Sequence, residues 1–303
     1  MNENIVSLVE RICACGDIDI KKDEPLCVHC TFRIGGRCAI YASPANAEQL
    51  VFLIKNATEL GVKYFILGHG SNLLFDDDGY DGIVISTEKM NNIELQGDEI
   101  VAECGALLTV CAVTARDASL SGMECLYGIP GSIGGAVFMN AGAYEAQMSD
   151  VVTETTYLDR ETLEVCRVVG EEQHFGYRTS IFRENGGIVL SARLKLHADD
   201  REAISERMAD YKRRRIEKQP LEYPSAGSVF KRYPGTYTAK LIDEAGLKGS
   251  FVGDAQVSEK HAGFIINRGS ATSSDVKELI RRIKAAIREK NGIDIETEII
   301  EVK

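Results

Sequence analysis

Apolar residues recur at helical spacing in several stretches of the chain. Ile5, Leu8, Val9 and Ile12 fall on one face within residues 1–20, which predicts a peripheral helix. Leu50, Leu53, Ile54, Ala57 and Leu60 do the same after Ser43-Pro44-Ala45-Asn46. Pro44 suits the first turn of that helix, and Gly61 suits its end. Further helices are expected over residues 108–120, over the charged stretch 199–219, and over 237–245 up to Gly246. The last helix carries Val276, Leu279, Ile280, Ile283 and Ile287 on one stripe. Ser273-Ser274-Asp275 is expected to cap it and Asn291-Gly292 to end it.

Between these lie short apolar or alternating runs bounded by turn residues, the pattern of strands. They cover residues 39–42, 64–67, 83–85, 93–95, 100–103, 151–158, 164–169, 188–196, about 253–257, 263–267 and 293–302. Strand, helix and strand over 39–85 make a βαβ-like unit, and 151–169 read as a hairpin. The acidic run Asp76-Asp77-Asp78-Gly79-Tyr80-Asp81-Gly82 interrupts the first unit. It lacks a calcium loop's glutamate at the twelfth position and reads as a solvated turn.

Bulk numbers narrow the class. A chain of 303 residues with 44% hydrophobic and 27% charged residues has the length for two or three domains of an ordinary globular protein. The net charge of -11 argues against nucleic acid or an anionic membrane as partner. No apolar run is long enough to span a bilayer. The first residues lack a basic stretch followed by an apolar one, so no signal peptide and a cytoplasmic setting are expected. Nine cysteines are scattered, with Cys27-Val28-His29-Cys30 the only close pair of its kind. No second cluster completes a zinc or iron–sulfur set, so free thiols and no metal are expected.

Two loops carry the candidate chemistry. Residues 128–143 hold five glycines and three alanines. Little side-chain bulk then separates their backbone from a ligand, and successive N–H groups can converge on a diphosphate. Leu67-Gly68-His69-Gly70-Ser71-Asn72-Leu73-Leu74 likewise follows an apolar run. One such loop reads most simply as a structural turn. Two of them suggest an extended, phosphate-bearing cofactor. Neither loop is a P-loop or a Rossmann fingerprint. Lys212-Arg213-Arg214-Arg215 is a basic run in an acidic protein, either a solvated helix face or a source of cations for phosphates.

The two loops, with Pro224-Ser225-Ala226-Gly227-Ser228-Val229-Phe230-Lys231, resemble those of the bacterial UDP-N-acetylenolpyruvoylglucosamine reductases. The likeness runs from about Thr31 to Glu298. It implies an α+β chain: the two-subdomain FAD-binding fold of the vanillyl-alcohol oxidase (PCMH) type plus a C-terminal α/β substrate-binding domain. The implied division is 1–88 for the N-terminal helix and first FAD-binding subdomain, 89–219 for the second, and 220–303 for the substrate domain, whose terminal strand returns to the active site. It implies non-covalent FAD, NADPH as hydride donor, and reduction of UDP-N-acetylglucosamine enolpyruvate to UDP-N-acetylmuramate for peptidoglycan, by a monomer.

The same resemblance distributes the site. Cofactor contacts are expected at Gly68, His69, Gly70, Ser71, Asn72, Leu73, Ile129, Pro130, Gly131, Ser132, Gly134, Gly135, Ala136, Asn140, Ala141, Gly142 and Arg215. Substrate contacts are expected at Tyr177, Lys231, Gln256, Ser258 and His261, with Tyr177 open between substrate and nicotinamide and His261 open between a contact and a packed core histidine. Ser228 is not in G-x-S-x-G, so a hydrolase nucleophile is unsupported. The family instead implies that Ser228 gives a proton to a carbanion, a task an unactivated hydroxyl can perform. Hydride adds to the terminal methylene of the enol ether, and charge spreads from the next carbon into the carboxylate. Arg178 matches the family arginine that meets this charge in a two-pronged grip. Glu298 matches its terminal glutamate, and only the resemblance raises it above Glu296. Thr297, Arg232 and His69 depart from the usual family residues, which puts a substrate bond at Arg232 in question. Two rivals are another flavin oxidase of the same fold and a thiol-rich regulator.

Overall fold

The computed structural model describes residues 3–15, 17–144 and 146–303. They gather into two compact units. One holds the residues up to Lys22 with Ile40–His69 and Gly82–Arg213; the other holds Asp23–Ala39, Gly70–Asp81 and Arg214–Lys303.

In the first unit, helix Glu3–Cys15 buries Ile5, Leu8, Val9 and Ile12. Arg11 ties it to helix Ala47–Glu59 through Asn56 at 2.9 Å and Glu59 at 2.8 Å. Pro44 lies outside that second helix. Its N-cap is Asn46, which accepts from Gln49 N–H, because an amide oxygen can satisfy an orphan N–H and proline's ring cannot. Strand Tyr64–Leu67 pairs in parallel with Tyr80–Ser86, in a four-stranded sheet with Arg37–Ser43 and Asp19–Pro25. The last of these reads Asp-Ile-Lys-Lys-Asp-Glu-Pro and gives no apolar signal; it is an edge strand.

A five-stranded antiparallel sheet also lies in that unit. Its order is Val165–Val169, Val152–Leu158, Ile188–Lys195, Glu99–Glu103, Ile93–Gln96. The short glycine-rich helix Ile133–Phe138 packs on Ile188–Lys195. Gly134 makes the approach possible: a Cβ there would stand 2.9 Å from Cys104 Cβ. Helix Leu108–Asp117 stops three residues before the expected end, at Ala118.

The second unit is built on a four-stranded antiparallel sheet in the order Ser225–Ser228, Phe264–Asn267, Ala255–Val257, Phe251–Val252. Helix Ser273–Asn291 lays its apolar stripe on it, with Thr238–Glu244 alongside. The expected terminal strand is shorter than its apolar pattern. Only Ile300–Val302 pairs continuously, in parallel with Leu73–Phe75. Among the described residues no helix is long and apolar enough to cross a membrane.

The acidic turn does more than meet solvent. Asp77 accepts from Ser273 N–H at 2.6 Å, Ser274 N–H at 2.9 Å and Ser274 Oγ at 2.8 Å, and Asp76 meets Lys277 at 2.5 Å. The N-terminus of the last helix presents unpaired N–H groups and the positive end of its dipole. Thr272, not Ser273, is the N-cap, in a reciprocal capping box with Asp275. Burial acts to raise the Asp77 pKa, but the bonds from Ser273 and Ser274 outweigh it and leave the value lowered from 3.8. A depressed carboxyl stabilises the fold above its unfolded value and ceases to do so as pH falls through its folded one. Asp77→Ala should therefore cost about 1–2 kcal/mol at neutral pH. Urea unfolding should show that difference shrinking as pH drops below 3.8.

Candidate active site

In the first unit the two glycine-bearing loops meet. Strand Tyr64–Leu67 delivers Gly68, and the Leu67 carbonyl is fixed by Thr87 N–H at 2.9 Å. A Cβ on Gly68 would stand 2.4 Å from Ser132 Oγ. Ser132 is the residue before helix Ile133–Phe138, yet its hydroxyl makes no cap bond. It is buried and has no hydrogen-bond partner among the described residues. An unpaired buried hydroxyl costs about 1–3 kcal/mol, so this orientation suits a partner outside the chain. The backbone around it is firmly held. Leu108 N–H donates to Gly131 O at 3.0 Å, Ile133 N–H to Ala106 O at 2.8 Å, and Gly134 N–H to Cys104 O at 2.8 Å. Gly135 differs from Gly134. It is exposed, and a Cβ there would meet only Ser132 Oγ at 3.8 Å. Packing explains Gly134; open approach to the backbone is what Gly135 offers.

The same stretch anchors Arg178. Its guanidinium donates to Gly142 O at 3.0 Å and Asn140 O at 3.4 Å, and lies 5.2 Å from the Tyr177 ring centre. Arg178 has φ 57°, an uncommon conformation for a residue with a side chain. A Gly176–Thr179 bridge and a 2.8 Å bond from Arg183 Nη1 to its carbonyl hold it there. Asn140 is fully buried; its amide donates to Gly176 O at 3.0 Å and accepts from Ser149 N–H at 3.0 Å. The expected cofactor residue Asn140 thus joins the glycine-rich stretch to the arginine segment. Tyr177 is exposed, as are His69 and Pro130.

In the second unit the loop continues through Gly70 to Leu73. Asn72 Nδ2 donates to the Glu298 carbonyl at 3.2 Å, Ile300 N–H donates to Asn72 O at 3.0 Å, and Leu73 pairs with Ile300. Glu298 N–H in turn donates to Val229 O at 2.7 Å, and Lys231 N–H to Glu296 O at 2.9 Å. Phe230 and Thr297 form the bridge between those bonds. This register sets Glu296 opposite Lys231 and Glu298 opposite Val229, beside Ser228. It separates the two glutamates that the sequence could not. Glu296 pairs with Lys231 Nζ at 2.8 Å, and that bond holds its carboxyl below the usual range. Glu298 lies across from Val229, the residue after the exposed Ser228, and Gly227 with φ 73° bends the strand there.

The remaining expected residues divide. Within Lys212–Arg215 three side chains are exposed and only Arg215 is buried. Gln256 donates to Gly249 O at 3.0 Å and accepts from Arg268 at 3.1 Å. Ser258 is buried, its hydroxyl accepting from Lys260 and His261 N–H. Burial, helped by Lys248, pushes the His261 pKa below 6.5. The neutral ring accepts from Gly263 N–H at 3.1 Å and stands edge-on to Phe264. These three shape the turn around residue 260. Thr31 was not singled out. It donates through its N–H to Gly70 O at 3.2 Å and through its hydroxyl to Ser225 O at 2.7 Å, linking the loop of Gly70 to the strand of Ser228. Only its place beside Phe32-Arg33-Ile34-Gly35-Gly36 hinted at this.

Similarity to known proteins covers two stretches of the chain. Residues 38–168 match a family described as FAD binding domain, and residues 219–302 match the C-terminal domain of UDP-N-acetylenolpyruvoylglucosamine reductase. A curated reductase of that name from Clostridium novyi (strain NT) is 44% identical over 93% of this chain and 91% of its own length. Another from Clostridium tetani is 43% identical over 98% and 95%. The crystal structure of the Thermus caldophilus enzyme of that name superposes with a TM-score of 0.81 at 36% identity, over 95% of this chain and 99% of that one. An alkyldihydroxyacetonephosphate synthase shares the fold alone, at 14% identity and a TM-score of 0.50 over 63% of this chain and 43% of its own. The expected FAD-binding fold with its C-terminal domain is the fold found. The chain belongs to the UDP-N-acetylenolpyruvoylglucosamine reductase family.

Proposed function

We propose that this chain reduces UDP-N-acetylglucosamine enolpyruvate to UDP-N-acetylmuramate with NADPH through FAD, in peptidoglycan precursor synthesis. The observation that carries the reading is the ladder from Val229 to Glu298, which brings the backbone of Glu298 alongside the arm that carries the exposed Ser228. The residues present fit FAD: Gly68 and Gly135 give close approach, and the partnerless Ser132 hydroxyl supplies a bond for a phosphate or ring oxygen. When bound, FAD supplies the relay of hydride from NADPH to the enol ether. Gly68 to Leu73, Ile129 to Ser132, Gly134 to Ala136, Asn140 to Gly142 and Arg215 would hold it.

Ser228 Oγ–H delivers a proton to the carbon next to the substrate carboxylate as charge develops there. Arg178, its guanidinium aimed by Asn140 and Gly142, grips that carboxylate and lowers the cost of the charge. Glu298, on the segment paired with Val229, supports the same proton transfer. Lys231, steadied by Glu296, offers a cation to the nucleotide diphosphate from the 220–303 domain. Tyr177 presents an exposed ring for substrate or nicotinamide. The protein acts as a monomer in the cytoplasm.

Ser228→Ala should leave bleaching of the flavin by NADPH intact while turnover falls by about 10²–10⁴. Stopped-flow absorbance reads both steps, and equal loss of both would contradict the proton-donor role. Ser132→Ala should raise the FAD dissociation constant about tenfold. The melting temperature of its apoprotein should not fall, since the hydroxyl lost has no partner among the described residues. A less stable apoprotein with unchanged FAD affinity would make Ser132 a structural residue.

A further inference from the structure

Cys27-Val28-His29-Cys30 has no part in the proposed reaction, yet it adjoins the loop assigned to the cofactor. Leu26–Val28 form one 3₁₀ turn, closed by His29 N–H donating to Leu26 O at 3.0 Å. His29 has φ -110° and ψ 11°. A helical Val28 followed by that conformation is the backbone of a type I turn from Cys27 to Cys30. Such a turn holds its first and fourth Cα atoms within about 7 Å. A disulfide accepts Cα separations of about 4.4–6.8 Å. Cys27 is half-buried and Cys30 is buried. Among the described residues no group of three or more histidine, cysteine or acidic side chains could hold a metal ion. The pair is a dithiol on a turn, without the ligands of a metal site.

This turn is packed hard against Gly70. A Cβ on Gly70 would lie 2.4 Å from His29 O, 2.8 Å from Cys30 Cα and 3.1 Å from Cys30 Cβ. The next residue, Thr31, donates to Gly70 O and exchanges bonds with Ser225. Cys30 Sγ donates to Ile34 O at 3.4 Å. A disulfide sulfur has no proton to donate, so bridging breaks that bond and turns the side chain toward Cys27. With so little clearance, movement of Cys30 is passed to Gly70.

We propose that Cys27 and Cys30 are a redox modification site, closed reversibly by a low-molecular-weight disulfide such as glutathione disulfide, and that closure loosens the hold of Gly70 to Leu73 on the flavin. The second half rests on the flavin site proposed above. The Cys27 thiolate, the more accessible, attacks the glutathione disulfide and expels one glutathione thiolate. The Cys30 sulfur then attacks Cys27 Sγ and expels the second. The protein loses two protons and two electrons, and glutathione disulfide becomes two glutathione thiols. Burial pushes the Cys30 thiol up, which suits it to the second, intramolecular step.

The test uses the full chain loaded with FAD and treated with glutathione disulfide. Peptide mass mapping should find the peptide spanning Cys27 and Cys30 lighter by two hydrogens. Flavin fluorescence should show the FAD dissociation constant raised about tenfold. Dithiothreitol should reverse both changes, and Cys27→Ser should show neither. Mixed disulfide on the exposed Cys13 with Cys27 and Cys30 still reduced would overturn the site. A bridge with unchanged FAD affinity would overturn the coupling. The mass reading needs no flavin: a protein that takes up no FAD refutes the flavin reading, while the bridge is still scored.

Discussion

The terminal segment of the chain must satisfy its backbone hydrogen bonds on both edges, and much of the candidate site follows from how it does so. On one edge Glu298 N–H is taken by Val229 O, and Glu296 O takes Lys231 N–H. On the other, Ile300–Val302 run parallel to Leu73–Phe75, and the Glu298 carbonyl accepts from Asn72. One strand therefore joins the arm of Ser228 to the loop of Asn72. Buried peptide groups rarely go unpaired, so the register is strongly specified. A slip of one residue would exchange the roles of Glu296, Thr297 and Glu298.

The segment of Arg178 is held by a different device. The glycine-rich stretch folds back on itself so that its own carbonyls, at Asn140 and Gly142, aim the guanidinium of Arg178. Asn140 closes the circuit through Gly176. A stretch rich in glycine thus also supplies acceptors that orient a side chain. Its glycines have separate reasons. Gly134 is demanded by Cys104 and Gly142 by Ala146 and Gln147, whereas Gly135 has open space.

Much of this was legible in the chain. Helical stripes such as Val276 to Ile287 and the run Tyr64–Leu67 declared themselves through local periodicity. Both loops were visible as composition, and Ser228, Arg178 and Glu298 through likeness to a family. What stayed hidden was non-local. Nothing near Glu296 says that Lys231 will claim it, because that depends on register between segments far apart in sequence. Asp77 looked like a solvated acid because its partners, Ser273 and Ser274, are 196 and 197 residues away. Strand Asp19–Pro25 was invisible because, at a sheet edge, hydrogen bonding needs no apolar face.

The most direct measurement is a crystal structure of the FAD-loaded protein with the enolpyruvyl nucleotide sugar bound. Ser228 Oγ is predicted within about 3–3.5 Å of the carbon next to the substrate carboxylate. The Glu298 carboxyl should flank that serine and the Arg178 guanidinium should hold the carboxylate. An enolpyruvyl group bound away from Ser228, with Glu298 turned to other partners, would contradict the account.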